Sequence, residues 1–212
     1  IRAVEMILDV ENGFQNYIND LNGLRTGSIS IGGTNLFVSF LLPPLLSRFT
    51  ASYPAVEIQL AEASTEELTE KLFAGQLDLI IDNSRMDPSV YESAFVCEDH
   101  LVLTVPRTFP SVKKAAAYGL TAQDIRRGLH LLADTPAVPL EFFKEDPFLL
   151  LKTGNDTRSR AEKICRASHF SPHVRLKLDQ QITAYSLYSY GLGMSFTGDI
   201  LINRVPASEN LV

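Results

Sequence analysis

The sequence has little of what would mark it for several common tasks. Only two cysteines, Cys97 and Cys165, occur in 212 residues, too few for a disulfide framework. With no export signal, they are expected as reduced thiols in the cytoplasm. No apolar run reaches the roughly eighteen residues of a membrane span, and the basic, apolar and small-residue succession of a signal peptide is missing. Basic residues are outnumbered, 19 Lys and Arg against 25 Asp and Glu, for a formal net charge of −6. That balance argues against this chain alone binding nucleic acid or an anionic membrane surface. There is no G-x-x-x-x-G-K-[ST] phosphate loop and no G-x-S-x-G elbow, and the four histidines have no evident nucleophile or carboxylate companion. Catalysis has no positive support, so neither an enzyme nor a cofactor is expected.

What is present is ordinary for a globular protein. Apolar residues make up 45% and charged residues 21%, which excludes disorder, and the length allows one domain or two small ones with a substantial core. The chain opens at Ile1 without a Met and ends on ENLV, which reads as the start of a strand. The expectation is a fragment of a longer protein.

Residues 1–24 space Val4, Ile7, Leu8, Phe14, Tyr17, Ile18 and Leu21 roughly as a helix that packs elsewhere. From Ser28 strand and helix signals alternate. SISIGG (28–33), VEIQLAE (56–62), LDLIID (77–82), YESAFV (91–96) and HLVLTV (100–105) read as strands. LFVSFLLPPLLSRF (36–49) reads as a helix kinked around Pro43-Pro44. Ser64 followed by Glu67 forms a capping box opening TEELTEKLFA, and Gly75 is placed to end that helix. A second round, with a boundary near Pro106, holds a short helix LTAQDI and an acidic, proline-rich loop (134–147). Strand FLLL, helix TRSRAEKICRAS, strand VRLKL, helix ITAYSLYSY and strand GMSF follow. The alternation implies mostly parallel sheets covered on both faces, in two α/β lobes with a crevice between them.

The stretch KTGNDTRSRAEKI (152–164) feeds a helix N-terminus, whose N–H groups and dipole suit a carboxylate or phosphate. Alternatively, Asn155 or Asp156 simply caps the helix. Gly191-Leu192-Gly193 is half a dinucleotide fingerprint with Phe196 in place of the third glycine, and it reads as a helix stop. Cys165, His169 and His173 are four apart, but Pro172 breaks the register and no fourth ligand is near, so no metal is expected. Phe142, Phe143 and Phe148 read as core plugs rather than a base-stacking platform. Small hydroxyl and amide residues recur at strand ends: Thr34-Asn35, Ser64-Thr65 and Asn155-Asp156-Thr157. Each could be a cap, but together they suggest a small-ligand site.

The run ISIGGTNLFVSFLLPPLLSRFTASYPAVEIQLAEASTEELTEKLFAGQLDLIID resembles the effector-binding domain of LysR-type transcriptional regulators. The residues that carry the likeness are Ile31-Gly32, Leu41-Leu42-Pro43, Phe49, Tyr53-Pro54, Val56, Glu62-Ala63-Ser64, Leu68, and Gly75 to Asp78. DPFLLLKTGNDTR, ICRASHFSP and YGLGMSF follow in the family's order, so the resemblance covers about residues 26–205.

The resemblance implies an α/β fold of two Rossmann-like lobes with a ligand cleft, like a type-2 periplasmic binding protein. Residues 1–25 would be the end of a linker helix that pairs protomers, 26–105 regulatory lobe I, 106–200 regulatory lobe II, and 201–212 an incomplete return crossing to lobe I. The partners implied are a small polar effector, often a carboxylate, held between the lobes, and further copies of the chain in a homodimer or homotetramer. DNA would be bound only through a winged helix-turn-helix absent from this chain, and no membrane is involved. Carried over by position, the effector contacts are Thr34, Asn35, Ser64 and Thr65 in the first lobe, and His100 on the crossing strand. The second lobe offers Asn155, Asp156 and Thr157, with Thr197 near the return. Ala63 replaces a common Gly and Gly198 a common Pro. Asp156 brings a negative charge that either caps its helix or suits a zwitterionic or cationic effector. A solute-binding protein of a transporter is the alternative, and an enzyme on this fold a more distant one.

Overall fold

The computed structural model describes residues 27–205. Residues 1–26 and 206–212 lie outside it, and with them the linker helix expected at 1–25 and most of the return crossing expected at 201–212. Chain contacts divide the molecule between Asp82 and Asn83, earlier than the boundary read near Pro106. The reason is a pairing: strand β4 (Leu101–Thr104) runs antiparallel to β7 (Ser195–Gly198), far along the chain.

In the first unit, β1 (Gly27–Gly33) lies between β2 (Val56–Glu62) and β3 (Leu79–Ile81), all parallel, in the order β2-β1-β3. The Gly75 to Asp78 motif serves this sheet. Asp78 Oδ2 accepts the Ser30 N–H at 2.7 Å while its own N–H donates to the Ser30 carbonyl at 2.9 Å, locking β3 to β1. Helix α1 (Leu42–Ser52) carries its prolines in the first turn, where no N–H is required. The kink expected there takes the form of a π turn over Phe37–Leu41, in which the Leu42 N–H reaches back to the Phe37 carbonyl. Helix α2 (Thr65–Phe73) starts on the anticipated capping box and stops at Gly75. With φ +69, Gly75 donates to Leu72 and Gln76 donates to Lys71, the paired bonds of a Schellman stop. Leu68 of α2 is fully buried because Gly32 has no side chain. A Cβ there would stand 2.7 Å from Leu68 and 2.5 Å from Leu77. The sheet is not covered on both faces among the described residues, since Leu60 and Leu79 stay about half exposed at 47% and 40%.

In the second unit, β5 (Pro147–Leu151) pairs in parallel with β6 (His173–Leu178). A parallel bridge, Phe148–Met194, joins β5 to the segment entering β7. The run FLLL is buried throughout, with Phe148 and Leu149 at 0% exposure, as a doubly covered central strand requires. Phe143, Met194, Phe196 and Cys165 pack around Phe148, so Phe143 and Phe148 are core plugs as read, while Phe142 is partly buried and meets Tyr118 edge-on. The short helices α3 (Val112–Ala115) and α4 (Ala122–Arg126) precede α5 (Asp156–Ala167), α6 (Gln181–Ser189) and α7 (Asp199–Arg204). Gly191, at φ +75, ends α6 as expected. Leu201 and Ile202 of α7 are buried within this unit.

One strand does not form. Residues 91–96 take no regular structure, and Val90, Phe95 and Val96 are exposed. Apolar and β-branched residues favour a strand only where a neighbour supplies the ladder, and none is offered among the described residues. No helix among them is long and apolar enough to cross a membrane.

Candidate functional site

Because β1, β2 and β3 are parallel and in register, with Gly33 beside Glu62 and Ile81, their carboxyl ends share one edge. The residues that follow them meet there. Thr34 turns the chain, its carbonyl accepting the Phe37 and Val38 N–H groups at 2.9 and 3.0 Å. Asn35 Nδ2 donates to Glu62 Oε1 at 3.2 Å. Ser64 caps α2, accepting the Glu67 N–H at 3.3 Å, while Glu67 accepts the Ser64 N–H at 3.1 Å. Thr65, half-buried, donates its hydroxyl to Asp82 Oδ2 at 2.8 Å. The first-unit residues singled out from sequence are therefore brought together, and two carboxylates not carried over as effector contacts, Glu62 and Asp82, stand among them. Their signal was available: each is the residue where a strand gives way to a turn.

In the second unit Asn155 caps α5, its Oδ1 accepting the Thr157 N–H at 2.9 Å. The cap that the sequence offered as one reading of this turn is therefore formed. Asp156 is freed from that task and pairs with Arg160 one turn on, at 3.6 Å. Arg160 also donates to Asp99 Oδ2 at 2.6 Å and to the Asp99 carbonyl. Thr157 is buried, and its hydroxyl accepts a hydrogen bond from Gln181 Nε2. Gln181 Oε1 in turn accepts the Gly198 N–H at 3.0 Å. One buried amide thus ties the N-terminus of α5 to the end of β7, and nothing in the local pattern around Gln181 signals it. Arg160 was legible as an i, i+4 partner of Asp156.

Two singled-out residues sit otherwise than expected. Thr197 is 1% exposed, and its hydroxyl meets that of Thr104 at 3.0 Å inside the β4–β7 pair, which turns it away from any surface. β7 is buried along its whole length, so neither of its faces meets solvent. His100 is engaged at both ring nitrogens, with Asp199 at Nδ1 and Glu98 at Nε2, each at 3.2 Å. Cys165, His169 and His173 do not converge. The cluster with metal-ligand spacing among the described residues is His100, His130 and Asp199. The second unit also holds a pocket of about 390 Å³, lined mostly by apolar side chains such as Val105, Tyr118, Phe143 and Tyr188. None of the residues carried over as effector contacts lines it.

Comparison with known proteins extends this picture. The family described as the LysR substrate binding domain matches residues 22–212. The uncharacterized HTH-type transcriptional regulator YcgK of Bacillus subtilis (strain 168) is 27% identical over 207 residues, covering 94% of this chain and 62% of that protein. The chain thus spans about three fifths of that relative's length. The regulatory domain of CcmR from Synechocystis PCC6803, in complex with 2-PG, superposes with a TM-score of 0.67 at 19% identity, covering 88% of this chain and 79% of that one. The effector binding domain of QuiR in complex with shikimate does so with a TM-score of 0.64 at 15% identity, covering 82% and 74%. These likenesses establish the α/β fold of such effector-binding domains. With the match running from residue 22 to residue 212 and the strand-end sites in the family's order, the chain belongs to the LysR substrate binding domain family.

Proposed function

We propose that this chain is the ligand-sensing part of a LysR-type transcriptional regulator, whose small polar effector controls DNA binding by the full-length protein. The DNA contact would be made by a winged helix-turn-helix in that longer protein, working in the cytoplasm as a homodimer or homotetramer. The observation that carries the reading is the family match over residues 22–212. The gathering of Asn35, Ser64 and Thr65 at one sheet edge supports a ligand there, and the family resemblance makes the N-terminus of α5 at Asn155–Thr157 a second candidate for effector contacts. A carboxylate on the effector suits the α5 N-terminus, and the relative QuiR binds shikimate, itself a carboxylate. The Glu62 and Asp82 carboxylates beside Asn35 and Thr65 favour an amino group on a ligand held at that edge.

The test is a thermal-shift screen of the chain against metabolite acids, amines and amino acids. A ligand at 100 times its dissociation constant stabilises the native state by about 2.7 kcal/mol. Thr65→Val keeps the side-chain shape and removes the hydroxyl, and is expected to weaken a hit about tenfold or more, as loss of a hydrogen bond to a charged group does. Asp156→Asn separates effector types, leaving an anion bound as well or better and an amine bound more weakly. A stoichiometric ligand indifferent to Thr65→Val and to changes at 155–157 would place the site elsewhere.

A further inference from the structure

Three side chains distant in sequence meet in the second unit. His100 immediately precedes β4, Asp199 opens α7 directly after β7, and His130 lies in the short turn Leu129–Leu131. Asp199 Oδ2 stands 3.2 Å from His100 Nδ1 and 3.0 Å from His130 Nε2, and one ligand atom from each residue lies within 4.8 Å of the others. The second carboxylate oxygen is anchored, since Asp199 Oδ1 accepts the His100 backbone N–H at 3.1 Å. The side chains of His130 and Asp199 are only 7% and 8% exposed, and that of His100 is 38% exposed.

A neutral His100 cannot satisfy both of its ring contacts by hydrogen bonding alone. A neutral imidazole has one N–H and one lone pair, yet His100 faces a carboxylate oxygen at each nitrogen, Asp199 at Nδ1 and Glu98 at Nε2. In the neutral ring one of these contacts lacks a proton, whereas an imidazolium would donate to both. His130 makes its polar contact at Nε2, and its Nδ1 is buried without a hydrogen-bond partner among the described residues. Asp199 is thus the polar contact of this ring among the described residues. A cation at the centre of the cluster removes the conflict at His100. The Nδ1 lone pair of His100 and the Nε2 lone pair of His130 turn to the metal with Asp199 Oδ2, and His100 Nε2–H donates to Glu98, the carboxylate partner that metal-bound histidines ordinarily have. In a tetrahedral shell with bonds of about 2.1 Å, neighbouring ligand atoms stand about 3.4 Å apart, close to the separations about Asp199 Oδ2. Two imidazole nitrogens and one carboxylate oxygen suit zinc and its first-row neighbours rather than the oxygen-seeking magnesium or calcium.

We propose that His100, His130 and Asp199 bind a divalent first-row transition cation of the zinc class, with its fourth position open to water. The inference is independent of the effector reading, because it concerns metal binding alone. Zinc uptake by the whole chain is measured by competition with a chromophoric chelator, in a Cys97→Ser background that removes a thiol three residues from His100. Cobalt(II) in place of zinc reports the coordination through its visible spectrum. One equivalent of zinc is expected, lost in His130→Gln and in His100→Gln and weakened about tenfold or more in Glu98→Gln, the usual cost of losing an outer-shell partner. His100→Gln changes a half-exposed ring, so it keeps the test valid should the buried His130→Gln fail to fold, which circular dichroism checks. No stoichiometric zinc, or zinc uptake unchanged in folded His100→Gln, overturns the proposal. So does an NMR finding that His100 is doubly protonated at neutral pH and unmoved by zinc, since a second proton would resolve the same conflict.

Discussion

The carboxylate of Asp99 occupies the space in which a side chain at position 198 would begin. A Cβ on Gly198 would stand 3.1 Å from both Asp99 Cγ and Oδ2, and would overlap Oδ1. Gly198 has φ −67 and ψ 141, a conformation open to any residue, so the demand for glycine is steric alone. Asp99 cannot step aside cheaply, because its side chain is 1% exposed and Oδ2 is held by Arg160. Gly198→Ala is expected to cost about 1–3 kcal/mol, as overpacking does, read as a lowered urea midpoint. If Asp99 is the obstacle, Gly198→Ala combined with Asp99→Ala loses less than the two single variants summed.

Gln181 bonds both Thr157 and the Gly198 N–H while 7% exposed. Replacing it with Met preserves length and leaves two buried polar groups without their partner, at about 1–3 kcal/mol each. Equilibrium unfolding in urea measures the loss. In a double-mutant cycle with Thr157→Val, coupling is expected because the two side chains share one bond. Strict additivity would show that the amide does not link α5 to β7.

The cysteines differ in access and share one direction of titration. Burial, then the negative charges of Asp99 and Asp199, raise the Cys97 thiol above its usual range. Burial likewise raises Cys165. A raised thiol pKa means less thiolate at a given pH, and the thiolate is the reacting form. Iodoacetamide is expected to modify Cys97 slowly and faster as pH rises, and to spare the buried Cys165 until urea unfolds the chain. Mass spectrometry of the labelled peptides decides it. Rapid labelling of Cys165 in the native protein would contradict the packing around Phe148.

Local rules act between residues a few positions apart, and these were readable. The capping box at Ser64 and Glu67, the stops at Gly75 and Gly191, and the proline turn of α1 each follow from backbone chemistry within one helical turn. The ordered motifs also carried the family, and with it the placing of hydroxyls and amides after β1, β2 and β5. Residues 91–96 show where such reading stops, because a strand needs a partner that its own sequence cannot supply.

The remainder of the site came from long-range pairing. The register Leu101 beside Gly198 brings His100 to Asp199 across ninety-nine positions, and the same pairing sets Asp99 against Gly198. The Arg160 contact to Asp99 spans sixty-one positions, and the Gln181 link from Thr157 to Gly198 spans twenty-four on one side and seventeen on the other. Side chains that far apart interact only after chain folding has closed the loops between them, and the direction each one points depends on strand pleat and helix phase together. The sequence by itself determined most of the elements, their caps and the family. Which polar groups face one another, and therefore which are engaged or buried, was decided by the tertiary structure.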